Sequence, residues 1–178
     1  MKKILLLSFL VAGTLLGYSY NNVVIKAQSS IFPKILLLDK KLKDKLVDGK
    51  IVYTIICEPN DYHAAEILRD AMNAQYQNRL NGYVFEVNIL LFSQFNKATR
   101  ATAIYLLNSD TGVDKVTELA KASDCITFAY DTVNLQHGVL LSLMVEKSTV
   151  LYLSKKSLHT HNVEFTESLY QIVRIFND

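Results

Sequence analysis

Apolar residues recur along this chain in two rhythms. Four stretches are almost unbroken and rich in β-branched or aromatic residues: Ile51–Cys57, Tyr83–Phe92, Ala101–Leu107 and Cys125–Ala129. Runs of that length predict strands covered on both faces. Between them, apolar positions fall three and four apart, as on one face of a helix. The first such stripe is Ile35, Leu36, Leu38, Leu42 and Leu46, with Lys40, Lys41, Lys43 and Lys45 on the other face. Asp39, Asp44 and Asp48 interleave with those lysines, the mark of a solvated helix face. A second stripe holds Ala64, Ile67, Leu68, Ala71 and Met72 and runs to about Arg79, where Asn81-Gly82 ends it. A third holds Val113, Val116, Leu119 and Ala120. Asn60 or Asp61 is placed to cap the second helix, and Thr111 and Asp114 stand at capping-box spacing before the third.

Strands that alternate with helices across short connections predict an α/β fold with a mostly parallel sheet flanked by helices on both faces. The end of the chain breaks that rhythm. Val139–Val145 and Thr149–Leu153 flank the short polar break Glu146-Lys147-Ser148, which predicts a C-terminal antiparallel hairpin. Ser154 then caps a short helix, and Phe165, Leu169, Ile172, Val173 and Phe176 predict a terminal helix.

The front of the chain is apolar for a different reason. Lys2-Lys3 precede an apolar run from Ile4 to Leu16, and small residues at Gly17 and Ser19 fit a cleavage site after Ser19. Residues 1–19 are read as a signal peptide, residues 20–30 as an irregular segment, and residues 31–178 as a single α/β domain. The run is short for a bilayer span of roughly 20 residues, so export to the periplasm is expected rather than anchoring.

Charge now changes meaning. The chain has 19 Lys and Arg against 17 Asp and Glu. Both excess cations lie in the leader, so the expected mature domain is neutral. Nucleic acid is therefore not an expected partner, because phosphate binding needs clustered cations. Export places Cys57 and Cys125 where disulfides form. They are either buried free thiols or a pair, and pairing requires Cα atoms within about 7 Å.

Motifs for common chemistry are missing. There is no nucleophile elbow, phosphate-cradling glycine loop, dinucleotide fingerprint or zinc-protease helix motif, so no enzyme activity, cofactor or metal is expected. His159 and His161 would point about 200° apart on a helix and share no metal there. In an extended segment they could, with Glu164 and Glu167 as further ligands. His63 reads as a solvent or cap residue. In open α/β sheets ligands bind beyond the carboxyl ends of the strands. Those ends carry Glu58 and Asn60, Asn108 and Asp110, and Tyr130 and Asp131; with His137 and Gly138 they are the candidate residues for binding a ligand or partner. The same residue types also serve as turn formers and caps.

The second half of the chain carries a resemblance. Ile126-Thr127-Phe128-Ala129-Tyr130-Asp131, then His137-Gly138-Val139 and Leu141-Ser142-Leu143, then Val150-Leu151-Tyr152-Leu153-Ser154, then Val163-Glu164-Phe165 and Leu169 to Ile175, follow one order. That order resembles the YfiR-like family of exported bacterial proteins, and Ile51–Cys57 fits the family's first strand. The resemblance spans roughly residues 31–178. It implies a periplasmic α/β domain that regulates an inner-membrane diguanylate cyclase by docking on its periplasmic part, within cyclic-di-GMP signalling; relatives accompany histidine kinases. A docking protein of this kind is expected to act as a homodimer. Gly138 matches the family's glycine, and Ser154 stands where Asn is frequent. The family's prototype has more cysteines, so control through paired disulfides does not carry over. The resemblance supplies no catalytic residues. The alternative expectation is a small-ligand carrier or transport accessory.

Overall fold

The computed structural model describes residues 18–177. The expected signal peptide therefore lies almost wholly outside the described residues. Eight strands form one sheet, in the order β2-β3-β1-β4-β5-β6-β7-β8. They are β1 (Ile51–Cys57), β2 (Arg79–Leu80), β3 (Tyr83–Leu91), β4 (Ala103–Leu106), β5 (Ile126–Ala129), β6 (Leu141–Val145), β7 (Thr149–Ser154) and β8 (Val173–Phe176). From β3 to β6 every neighbouring pair is parallel, and β6–β7 is the expected antiparallel hairpin. The α/β expectation holds, with helices α1 (Asn22–Leu36), α2 (Tyr62–Tyr76), α3 (Val113–Ala122), α4 (Lys155–Thr160) and α5 (Glu167–Tyr170).

Side chains alternate across the strands and build two cores. Tyr53, Ile55, Tyr105, Ile126 and Phe128 join Phe32, Ile35, Leu68 and Met72 of α1 and α2. Ile56, Ile104, Leu106 and Ala129 join Val113, Val116 and Ala120 of α3. This is the period-two alternation of a strand buried on both sides.

Several local expectations are corrected. Residues 22–30 are helical, not irregular: α1 starts at Asn22, capped by the Asn21 side chain, which accepts from the Val23 N–H at 2.8 Å. Its buried face escaped the hydrophobic pattern because it includes Gln28 and Ser29. Gln28 is satisfied there: Nε2 donates to the Tyr130 and Leu143 carbonyls at 2.9 Å, and Oε1 accepts from the Tyr105 hydroxyl. The helix also ends earlier than expected, at Leu36, because Asp39 has another task. It is buried, takes the Lys45 ammonium at 2.8 Å, and accepts the N–H groups of Lys41 and Glu164. Lys45 is thus inside the protein, not on a solvated face.

The expected caps are also rearranged. Neither Asn60 nor Asp61 caps α2; the Asp61 carboxylate accepts the Tyr20 hydroxyl instead. Ser109, not a Thr111–Asp114 box, accepts the N–H of Gly112 at the head of α3. Helix α2 stops at Tyr76, and Asn81-Gly82 turns a small β2–β3 hairpin, both residues at positive φ. Ser154 caps α4 as expected. The terminal helix is reduced to the four residues of α5, and Val173–Phe176 form β8 along β7. Without β8 the main-chain groups on that side of β7 would lack sheet partners, which outweighs the helical spacing.

Cys57 and Cys125 are buried free thiols. Register puts Tyr53, Ala103 and Ile126 level. Cys57 lies four residues past Tyr53 and Cys125 one before Ile126, so the two are about 16 Å apart along the strand direction alone. No disulfide spans that. Burial pushes each thiol up to about 11.

Candidate functional site

The chain leaves β1, forms β3 on one side of it, then returns to form β4 on the other. The carboxyl ends of β1 and β4 therefore flank a topological switch point, where such sheets leave a crevice. The N-terminal segment fills it. The Tyr20 ring packs edge-on against Tyr130 at 4.8 Å between centroids. Its hydroxyl donates to Asp61 at 3.0 Å and accepts the Asn108 N–H at 3.2 Å. Tyr18 donates to the Asp110 carboxylate, which is the main cause pushing its phenol up to about 12. The Tyr130 hydroxyl accepts the N–H of Asn21 at 2.8 Å. Asp61 is raised above the usual carboxylate range, chiefly by burial.

Each expected site residue can now be placed. Glu58 accepts the Ser109 hydroxyl. Glu58, Asn60 and Asp110 line a cavity of about 360 Å³ under Tyr18. Asn108, Asp110, Asp131 and His137 come together with Asn134 around a second cavity of about 410 Å³. There Asn134 Nδ2 donates to Asn108 Oδ1 at 3.3 Å, and Asp131 caps the 3-10 turn Thr132–His137 through the Val133 N–H. Tyr130 lies beside this group and lines a smaller cavity with Asp131. Gly138 ends the 3-10 turn at φ 87°, a backbone conformation that favours glycine. It borders a fourth cavity, further along α3.

The sequence missed Tyr18, Tyr20, Asn134 and Asp114. Tyr18 and Tyr20 lie at the junction of the expected leader and the domain, where no periodicity pointed to them. Asp114 matters because it meets His137, Oδ1 to Nδ1 at 2.9 Å. Among the described residues no hydroxyl bonds to either side chain of that pair: Thr117 Oγ1 donates to their main-chain carbonyls at 2.9 Å, and Ser109 donates to Glu58. The arrangement offers carboxylates, amides and aromatic rings, the equipment for recognising a cationic or hydrogen-bonding group. Among the described residues no cluster of three or more His, Cys, Asp or Glu is placed to hold a metal, and no helix is long and apolar enough to cross a membrane. His159 is exposed and His161 buried, so they face apart. His63 is in solvent near Glu66.

No family model and no curated protein matches the chain. Solved structures do. A conserved domain protein from Vibrio cholerae O1 biovar El Tor has a TM-score of 0.60 at 13% identity, covering 86% of this chain and 60% of that one. An ABC domain in complex with L-Trp from Streptococcus pneumoniae has a TM-score of 0.50 at 11% identity, covering 77% of this chain and 60% of that one. At such identities the likeness is one of fold. This chain spans less than two thirds of either neighbour.

Proposed function

We propose that this chain is an exported, non-catalytic recognition domain that regulates an inner-membrane signalling protein, a diguanylate cyclase or histidine kinase, by docking on its periplasmic part. The composition of the carboxyl edge supports this reading. Val133 is 51% exposed there and lines one cavity with Asp110, Asp114 and Asp131. An apolar centre within a polar rim is the make-up of a protein interface. The acidic rim favours a basic partner surface. The resemblance to YfiR-like proteins points the same way. Cleavage after Ser19 would remove Tyr18 and bare Asp110 while leaving Tyr20 in the crevice.

Photo-crosslinking from position 133 in living cells tests it. A membrane signalling protein should be captured, and Asp131→Lys should abolish its capture while the fold persists. Capture of envelope proteins unrelated to signalling, or none, would overturn the reading.

A second reading is capture of a small polar ligand by the same edge, favoured by the cavity of about 410 Å³ that joins the ends of β4 and β5. The Streptococcus neighbour in complex with L-Trp is an α/β domain of related fold. Thermal stabilisation by one metabolite, lost in Asp110→Asn, would favour capture over docking.

A further inference from the structure

A separate groove lies between α3 and α4, with a volume of about 430 Å³. Asp114, Glu118 and Lys121 line it from one side, at the three- and four-residue spacing that puts them on one helix face. Lys156 and His161 line it from α4 and the residue that follows. The charges are sorted. Asp114 stands in the first turn of α3 and Lys121 in the last, about 10 Å apart along the axis. Glu118 and Lys121 form no salt bridge among the described residues, so both remain available.

His161 marks the cationic end. It is 8% exposed, and its Nδ1 meets the Ser157 carbonyl at 2.8 Å. Nδ1 must therefore carry the proton, which leaves Nε2 a bare acceptor, and that atom is buried without a hydrogen-bond partner among the described residues. A buried polar atom without a partner is the exception in folded proteins.

We propose that this groove binds a short zwitterion, its ammonium at Asp114 and Glu118 and its carboxylate at Lys121 and Lys156. A simple anion would meet the two acids, and a simple cation the two lysines. A ligand with charges about 7–8 Å apart, such as 6-aminohexanoate, spans the sorted ends. When the carboxylate arrives, His161 takes a proton from solvent at Nε2 and donates it as a hydrogen bond, which gives the orphaned nitrogen a partner. The charged groups around His161 are Lys121 and Lys45, which oppose protonation, and Asp124, which favours it. Asp114 and His137 close the far end. The groove meets the Val133 surface at Asp114 and His137, whereas Glu118 and Lys121 lie off it, so changes at those two residues test this site apart from the docking reading.

Calorimetry with 6-aminohexanoate on the whole domain tests it, with hexanoate and hexylammonium as controls. Binding of the zwitterion alone is expected, with proton uptake seen as a dependence of the heat on buffer ionisation enthalpy. Lys121→Gln and Glu118→Gln, both exposed changes, should each weaken it about tenfold. The His161 Nε2 resonance should move to the protonated range on binding. No binding up to about 10 mM, equal binding of either control, or affinity unchanged in both variants would overturn the proposal. So would a His161 signal that stays neutral in the complex.

Discussion

The two faces of the sheet are covered unequally. On the α1–α2 face, large rings interlock: Phe32 stacks on Phe128 at 4.6 Å, and Phe128 lies against Tyr53 at 5.9 Å. Two 15-residue helices seal that layer. On the other face the 10-residue α3 packs Val113, Val116 and Ala120 on Ile104, Leu106 and Ala129, and the six-residue α4 stands apart from it. Small residues bring α3 close but do not fill the space beside it. The difference explains where this molecule can bind something. The groove between α3 and α4 opens on the thin side, where short side chains leave space that rings fill on the other.

The sharpest way to break the comparison is to hollow out each face in turn. Phe128→Ala should cost about 3–5 kcal/mol, because the two rings beside it, Phe32 and Tyr53, cannot collapse into the space. Val116→Ala on the thin face should cost about 1–2.5 kcal/mol. Urea denaturation monitored by circular dichroism checks both. Equal losses per buried carbon removed would mean that the faces are equally packed after all.

This asymmetry was only partly legible in the sequence. Strands β1, β3, β4 and β5 announced themselves because burial on both faces demands continuous apolar runs. The hairpin was equally plain, since only two short strands fit around Glu146-Lys147-Ser148. Helix α1 was hidden because its inner face uses Gln28, whose amide is matched to Tyr105 of β4, Tyr130 just past β5 and Leu143 of β6; such matching is tertiary and leaves no period. Strand β8 was hidden for the opposite reason. Its residues fit a helical stripe, and only the unpaired edge of β7 decides against it. Among site residues, position at a strand end was enough to find Asn108, Asp110 and Asp131. Tyr20 was not findable, since nothing local says that a tyrosine will fold back over a crevice 88 residues away in sequence.

The thin face is nonetheless tight at one point. A Cβ on Gly112 would stand 2.3 Å from the Phe92 ring, with two more ring atoms inside 3 Å. Phe92 is buried and cannot swing out freely. Gly112→Ala should therefore destabilise by about 1–3 kcal/mol, although the backbone there suits alanine. Gly112→Ala combined with Phe92→Leu should recover part of the loss. If the double variant is no better than the single, the contact is not the cause.

The thick face has one flaw that invites repair. The Tyr53 hydroxyl is buried there without a hydrogen-bond partner. Tyr53→Phe keeps the ring contacts with Phe85 and Phe128 and removes only the orphaned oxygen. A gain of about 1 kcal/mol is expected, read as a higher urea midpoint at constant slope. A loss would mean that the hydroxyl is satisfied in solution.

The smallest effect separates the faces by titration rather than by packing. Burial holds the His161 imidazole below its ordinary 6.5, with Lys121 and Lys45 adding to the depression and the Ser157 carbonyl and Asp124 opposing it. A depressed histidine contributes nothing to pH dependence while both states are neutral, above about pH 6.5. As pH falls below that, the unfolded chain takes up the proton first, so stability drops until the folded state's own value is reached. His161→Gln removes this proton uptake and should flatten the acid limb of a plot of stability against pH. Tyr53, Tyr105 and Cys57 of the thick face supply no matching term, because all three are raised and stay neutral throughout that range. If the variant and the parent lose stability in parallel between pH 7 and about pH 5, the buried ring is not what titrates, and the groove's polar wall is set by groups other than His161.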